Sequence, residues 1–121
     1  IGLALITSGH GPTQRRKVEY HKLDTIFDSI LIDGELGYGK PEERVYREAL
    51  DLLGVQPSET WMVGDGLEWD LATAQQLGMV GVWVLWPASK YKVLNLPSSA
   101  MPENSKVRPD HIVRRISEIL E

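Results

Sequence analysis

Apolar residues in this chain fall into short runs separated by polar, glycine-bearing turns. Gly2-Leu3-Ala4-Leu5-Ile6-Thr7 is a continuous apolar run that closes on Thr7, Ser8 and Gly9. Such a run, without alternation, predicts a strand buried on both faces that opens into a loop. A helix is expected from about Thr13 to His21, a short helical turn from Asp24 to Phe27, and a second strand at Ser29-Ile30-Leu31-Ile32. Asp33 to Gly39 carries Gly34, Gly37 and Gly39 and reads as a loop. It delivers Lys40-Pro41, with Pro41 suited to the first position of a helix. Glu42 and Glu43 suit the positive end of that helix. Val45, Ala49, Leu52 and Leu53 form its apolar stripe, and Gly54 its end.

The next apolar run, Trp61 to Val63, predicts a buried strand that stops at Gly64. An acidic turn, Asp65 to Asp70, leads into a helical spacing of Leu67, Leu71, Ala74 and Leu77, ending near Gly78. Val80-Gly81-Val82-Trp83-Val84-Leu85 is a further strand. Pro87 to Arg108, with prolines at 87, 97 and 102, lacks periodicity and is expected to be an irregular surface excursion. Ile112, Ile116, Ile119 and Leu120 mark a closing helix. Strands alternating with helices predict a single α/β domain over residues 1–121, with a mainly parallel sheet and right-handed crossovers.

Composition narrows the function. The 121 residues are 42% hydrophobic and 25% charged, as in ordinary globular domains. A net charge of -4 argues against nucleic acid, whose binders carry a basic face. There is no cysteine, hence no disulfide framework and no thiolate chemistry; a reducing, cytoplasmic setting is expected. No apolar run is long enough to span a bilayer, so no membrane partner is expected. The chain begins at Ile1 rather than Met, which reads as a trimmed N-terminus.

Candidate chemistry gathers at strand ends. Asp65 follows a strand, and Asp70 lies in the first turn of the next helix. In open α/β sheets the carboxyl ends of the strands are where ligands bind. Two carboxylates on a glycine-bounded turn are either a hard-cation site, since Mg2+ takes oxygen ligands, or an ordinary acidic loop with Asp70 serving the helix dipole. Lys40 is either a solvated charge or an anion-binding group. The triplet Arg15-Arg16-Lys17 reads as a solvated helix face.

Three segments then occur in order: Leu5-Ile6-Thr7-Ser8-Gly9, Gly37-Tyr38-Gly39-Lys40-Pro41, and Val63-Gly64-Asp65-Gly66-Leu67-Glu68-Trp69-Asp70. With them the chain resembles the C-terminal part of a haloacid dehalogenase-superfamily hydrolase. Gln14-Arg15-Arg16-Lys17, Phe27-Asp28 and Arg108-Pro109-Asp110 extend the likeness over nearly the whole chain. The resemblance implies a Rossmann-like three-layer α/β/α core and a Mg2+-dependent phosphohydrolase acting on a small phosphorylated metabolite. It implies that Thr7 and Ser8 bind the phosphoryl group, that Lys40 neutralises it, and that Asp65 and Asp70 hold Mg2+. Phosphoryl transfer depends mainly on such positioning and charge neutralisation. Retention of Gly64-Asp65 favours phosphohydrolases over the metal-free dehalogenases. Trp69 stands where relatives often carry a small polar residue and is expected at the lip of the site, without a catalytic role.

The chain departs from the family at its start. No Asp-x-Asp pair precedes Thr7, and the cap that selects substrate is missing. Covalent catalysis needs that carboxylate, so weak Mg2+ binding and negligible turnover are expected of the chain by itself. In the family the nucleophile strand lies between those expected at Gly2–Thr7 and Trp61–Gly64. Its absence leaves apolar edges that pair directly, dimerise or take up a partner segment. The alternatives to an enzyme portion are a non-catalytic domain that binds or assembles, and a phosphoacceptor receiver domain, which lacks support from the placement of its acidic residues.

Overall fold

Residues 1–86 and 105–120 are described by the structure, a computed structural model, except for the side chain of Leu120. The expected excursion at 87–108 therefore lies, up to residue 104, outside the described residues. The chain divides into two compact units, Ile1–Gln56 and Pro57–Glu121.

The first unit holds β1 (Ala4–Thr7), α1 (Gly11–Tyr20), β2 (Ser29–Ile32), α2 (Asp33–Leu36) and α3 (Glu43–Leu53). β1 and β2 pair in parallel, Ala4 opposite Ser29 and Thr7 opposite Ile32. Parallel strands need a crossover, and α1 supplies it. Val18, Leu31, Ile32, Val45, Tyr46, Ala49 and Leu50 are the buried apolar residues of this unit. β1 is half-buried along its length rather than buried on both faces. The reason is topological, because β2 is its strand partner in a two-stranded sheet.

Three further expectations for this unit are corrected. The glycine-rich stretch is not all loop: Asp33–Leu36 forms one helical turn, closed where the Gly37 amide donates to the Asp33 carbonyl at 2.8 Å. Gly37 has φ 84°, the left-handed conformation that ends helices and favours glycine. Pro41 is not the first residue of α3; Glu42 is the N-cap, and the Lys40–Pro41 bond is cis. The apolar stripe of α3 runs through Val45, Tyr46, Ala49 and Leu50, while Leu52 is 56% exposed. Fully buried Tyr46 turns the helix one residue away from the expected face.

The second unit holds β3 (Trp61–Gly64), a π-helical turn (Leu67–Leu71), α4 (Ala72–Gln76), β4 (Val80–Val84), β5 (His111–Val113) and a 3-10 turn (Ile116–Leu120). Its sheet has the order β3-β4-β5, parallel throughout, with Gly64 opposite Trp83 and Val82 opposite His111. Leu67 and Leu71 pack on Trp83, with Leu85 and Val107 alongside. β3 is an edge strand, and Trp61 is 51% exposed instead of buried. β1 lies in the sheet with β2, and β3 in the sheet with β4 and β5. Parallel strands with following helices are the expected α/β, Rossmann-like class. Among the described residues no helix is long and apolar enough to cross a membrane.

The expected closing helix is also corrected. Its first apolar residue, Ile112, lies in β5, and Ile116 and Ile119 lie in the 3-10 turn. Asp110 sets this strand against β4. Its Oδ2 accepts from the Gly81 amide at 2.7 Å and from Gln75 Nε2 at 3.1 Å, and its own amide donates to the Gly81 carbonyl at 2.8 Å. The Gly81 amide, and secondarily Gln75, hold the Asp110 carboxyl below its ordinary pKa. A depressed folded pKa gives stability that is present above the unfolded value, near 4, and lost as the pH falls through the folded one. Asp110→Ala is expected to destabilise the chain by about 1 kcal/mol at neutral pH. Urea unfolding at pH 7 and at about pH 3 checks this, because the difference between variant and parent should shrink on acidification.

Candidate functional site

In the first unit, Thr7 ends β1 and Ile32 ends β2, and the two are opposite one another. The segments beginning at Ser8 and Asp33 therefore leave the same carboxyl edge. They are tied together there. The Gly9 amide donates to Asp33 Oδ1 at 2.7 Å, and Gln14 Nε2 donates to the Ser8 carbonyl at 3.0 Å. A Cβ on Gly34 would lie 2.4 Å from both the Gly9 carbonyl oxygen and the Gly11 nitrogen, so the two backbones touch only because this residue is glycine. A Cβ on Gly39 would likewise stand 2.4 Å from Asp33 Cβ. Asp33 thus touches the chain on both sides of one cleft.

That cleft has a volume of about 460 Å³, and Gly9, Asp33, Tyr38, Gly39 and Lys40 are among its walls. Lys40 is half-buried there. Lys40 and Gly9, the residue following Thr7 and Ser8, line the same cleft. Tyr38 is braced by α3. Its hydroxyl donates to Glu48, and the Arg44 guanidinium lies 3.8 Å above its ring. The Glu48 carboxylate holds the Tyr38 phenol above its ordinary pKa. Arg15 is not simply solvated, because its Nε and Nη2 grip the two Glu35 oxygens at 3.0 and 2.6 Å. That pairing raises the Arg15 pKa and lowers that of Glu35.

In the second unit, Asp65 follows β3 and faces two indoles. Trp86 Nε1 donates to Asp65 Oδ2 at 2.7 Å, and Trp83 Nε1 donates to the Asp65 carbonyl at 3.0 Å. Asp70 is only 5% exposed, and its Oδ2 accepts from the Gly66 amide at 2.8 Å. Its carboxylate lies hard against Gly64, where a Cβ would stand 2.4 Å from Asp70 Oδ2. Trp69, by contrast, is 64% exposed. The two carboxylates are oxygen donors of the kind Mg2+ takes. Among the described residues no group of three or more side chains that could hold a metal ion occurs.

Two features escaped the sequence reading. The tie that Asp33 makes to Gly9 is one, for the sequence marks Asp33 as the start of a glycine-rich loop and a fallback nucleophile, although it follows an apolar strand just as Asp65 does. The indole donors were also missed. Their signal lay in the parallel register, which sets Trp83 beside Gly64 and so beside the residue before Asp65.

Comparison with known proteins matches residues 1–78 to the family model of haloacid dehalogenase-like hydrolases. The chain is 35% identical to a phosphoserine phosphatase of Thermus thermophilus, over 98% of this chain and 43% of that protein. It is 39% identical to an N-acylneuraminate-9-phosphatase of Mus musculus, over 84% of this chain and 40% of that protein. The crystal structure of a HAD phosphatase from Thermococcus onnurineus superimposes with a TM-score of 0.75 at 27% identity, over 98% of this chain and 48% of that one. The chain thus spans less than half the length of the curated relatives it matches.

The contact between Gly64 and Asp70 is open to test. Gly64→Ala would push a methyl group into the Asp70 carboxylate and Cβ, atoms of a buried residue with little room to move. Overpacking of this kind costs about 1–3 kcal/mol. Thermal unfolding should show a melting point lower by several degrees, and Gly37→Ala, where nothing lies within 4 Å, should cost less despite its φ.

Proposed function

The chain belongs to the haloacid dehalogenase-like hydrolase family, and on that footing we propose that it forms the phosphate-binding and metal-supporting portion of a Mg2+-dependent phosphatase acting on a small phosphorylated metabolite. The observation that supports this reading is a cleft lined by both Lys40 and Gly9, the residue just after Thr7 and Ser8, where β1 and β2 end at one carboxyl edge. The phosphatase names of the relatives point the same way.

In this proposal the Thr7 hydroxyl and the Ser8 segment hold the phosphoryl oxygens, and Lys40 neutralises their charge. Fixed cationic and hydrogen-bonding groups of this kind stabilise the transferring group without reorganising during reaction. Asp65 and Asp70 would hold Mg2+, which supplies further charge neutralisation when bound. Gly66 and Trp86 keep their carboxylates oriented by donating to one oxygen of each. Two carboxylates rarely hold Mg2+ tightly alone, so binding by this chain is proposed to be weak. No Asp-x-Asp pair stands before Thr7 to attack phosphorus. The nucleophile is proposed to come from a strand-forming segment, in cis or on a partner, that adds to an open sheet edge such as those of β1 and β3.

The assay is hydrolysis of p-nitrophenyl phosphate in excess Mg2+. The 121-residue chain should show negligible turnover. Complementation with the N-terminal portion of a matching phosphatase should restore it. Lys40→Ala or Asp65→Ala should then lower the rate about 10²–10³-fold, the scale for losing one transition-state donor. Robust Mg2+-dependent hydrolysis by the purified chain alone would contradict the proposal.

A further inference from the structure

Asp33 follows β2 as Asp65 follows β3, yet its carboxylate serves a different purpose. One oxygen accepts the Gly9 amide at 2.7 Å, and its Cβ faces Gly39, where a methyl group would stand 2.4 Å away. Gly9 continues Thr7-Ser8, and Gly39 precedes Lys40. A single side chain therefore touches both segments that line the cleft. An acid beside Lys40 in an anion site is electrostatically unfavourable, since it repels the ligand. Its placement needs a compensating role, and the hydrogen bond to Gly9 provides one. Without an acceptor there, the exposed Gly9 amide would turn to water and the loop after β1 would lose this tie to the segment after β2.

We infer that Asp33 is the positioning residue of this cleft, holding the Thr7-Ser8-Gly9 segment in register with the segment that delivers Lys40. The role does not need the charge. It needs an oxygen acceptor at Oδ1 and a side chain compact enough to fit against Gly39. The ligand class rests on the proposed phosphate reading, but the brace itself does not.

Two neutral variants separate brace from charge. Asp33→Asn keeps an acceptor oxygen, and Asp33→Ala removes it. Both remove the negative charge, so both relieve repulsion of a phosphate equally. The 121-residue chain is studied by NMR, with amide hydrogen exchange read at Gly9 and inorganic phosphate titrated as the probe. Asp33→Ala should accelerate Gly9 exchange about tenfold or more, the scale of one hydrogen bond to a charged group, while Asp33→Asn should leave it protected. Asp33→Ala should bind phosphate at least fivefold more weakly than Asp33→Asn. The inference is overturned if Gly9 exchange is unchanged in Asp33→Ala, or if the two neutral variants bind phosphate equally. A parent chain whose phosphate binding is absent, or insensitive to Lys40→Ala, would sink the phosphate reading instead. Gly9 exchange would then still decide the role of Asp33.

Discussion

The hydrogen bond from the Gly9 amide to Asp33 Oδ1 is the contact on which the first unit's cleft depends. Parallel pairing of β1 and β2 brings two loops to one edge, but pairing alone does not fix how the loops lie. The bond fixes one of them. Gly34 and Gly39 allow the rest, because each approaches other atoms at distances no Cβ would permit. Tyr38, held by Glu48 and Arg44, stiffens the loop two residues before Lys40. The cleft is thus made by backbone approach and a few braced side chains, a form of preorganisation suited to a group whose chemistry relies on fixed charge.

The acidic turn of the second unit is built on a similar plan. Gly64 makes room for the Asp70 carboxylate, and the Gly66 amide caps it. A π-helical turn, a rare element that is frequent at functional sites, spans Leu67–Leu71 and buries Leu67 and Leu71 on Trp83 while carrying Asp70 inward. Trp83 and Trp86 donate to Asp65 from the neighbouring strand and the loop beyond it. Both carboxylates are therefore restrained before any ligand is bound. Restraint lowers the ordering cost of binding.

Much of this was legible in the sequence. β2 has the expected bounds, because Ser29-Ile30-Leu31-Ile32 is flanked by polar Asp28 and Asp33. α3 ends at Gly54, whose φ of 68° is the conformation glycine favours there. Thr7 and Asp65 stand out in the sequence as candidates because each closes or follows a strand, and Lys40 because it lies just before a helix. What was not legible depended on contacts distant in sequence. Ile112, Ile116 and Ile119 have helical spacing, but Asp110 binding Gly81, a link of 29 residues, sets the start of the segment, His111–Val113, in a strand, and Ile116 and Ile119 fall in a 3-10 turn. The burial of β1 was overestimated because periodicity reports apolarity and not the number of strand neighbours. The tie from Asp33 to Gly9 was not legible because glycine content describes a loop's freedom and says nothing of what a side chain braces.

The claim at the centre of this reading is that Lys40 and the segment after β1 hold a phosphate group. A crystal structure of the chain grown with tungstate, a heavy and tightly held phosphate mimic, tests it most directly. The expected result is an oxyanion in the cleft, within hydrogen-bond distance of Lys40 Nζ and the Thr7 hydroxyl. An empty cleft at saturating tungstate, or an oxyanion bound away from Lys40, would contradict it.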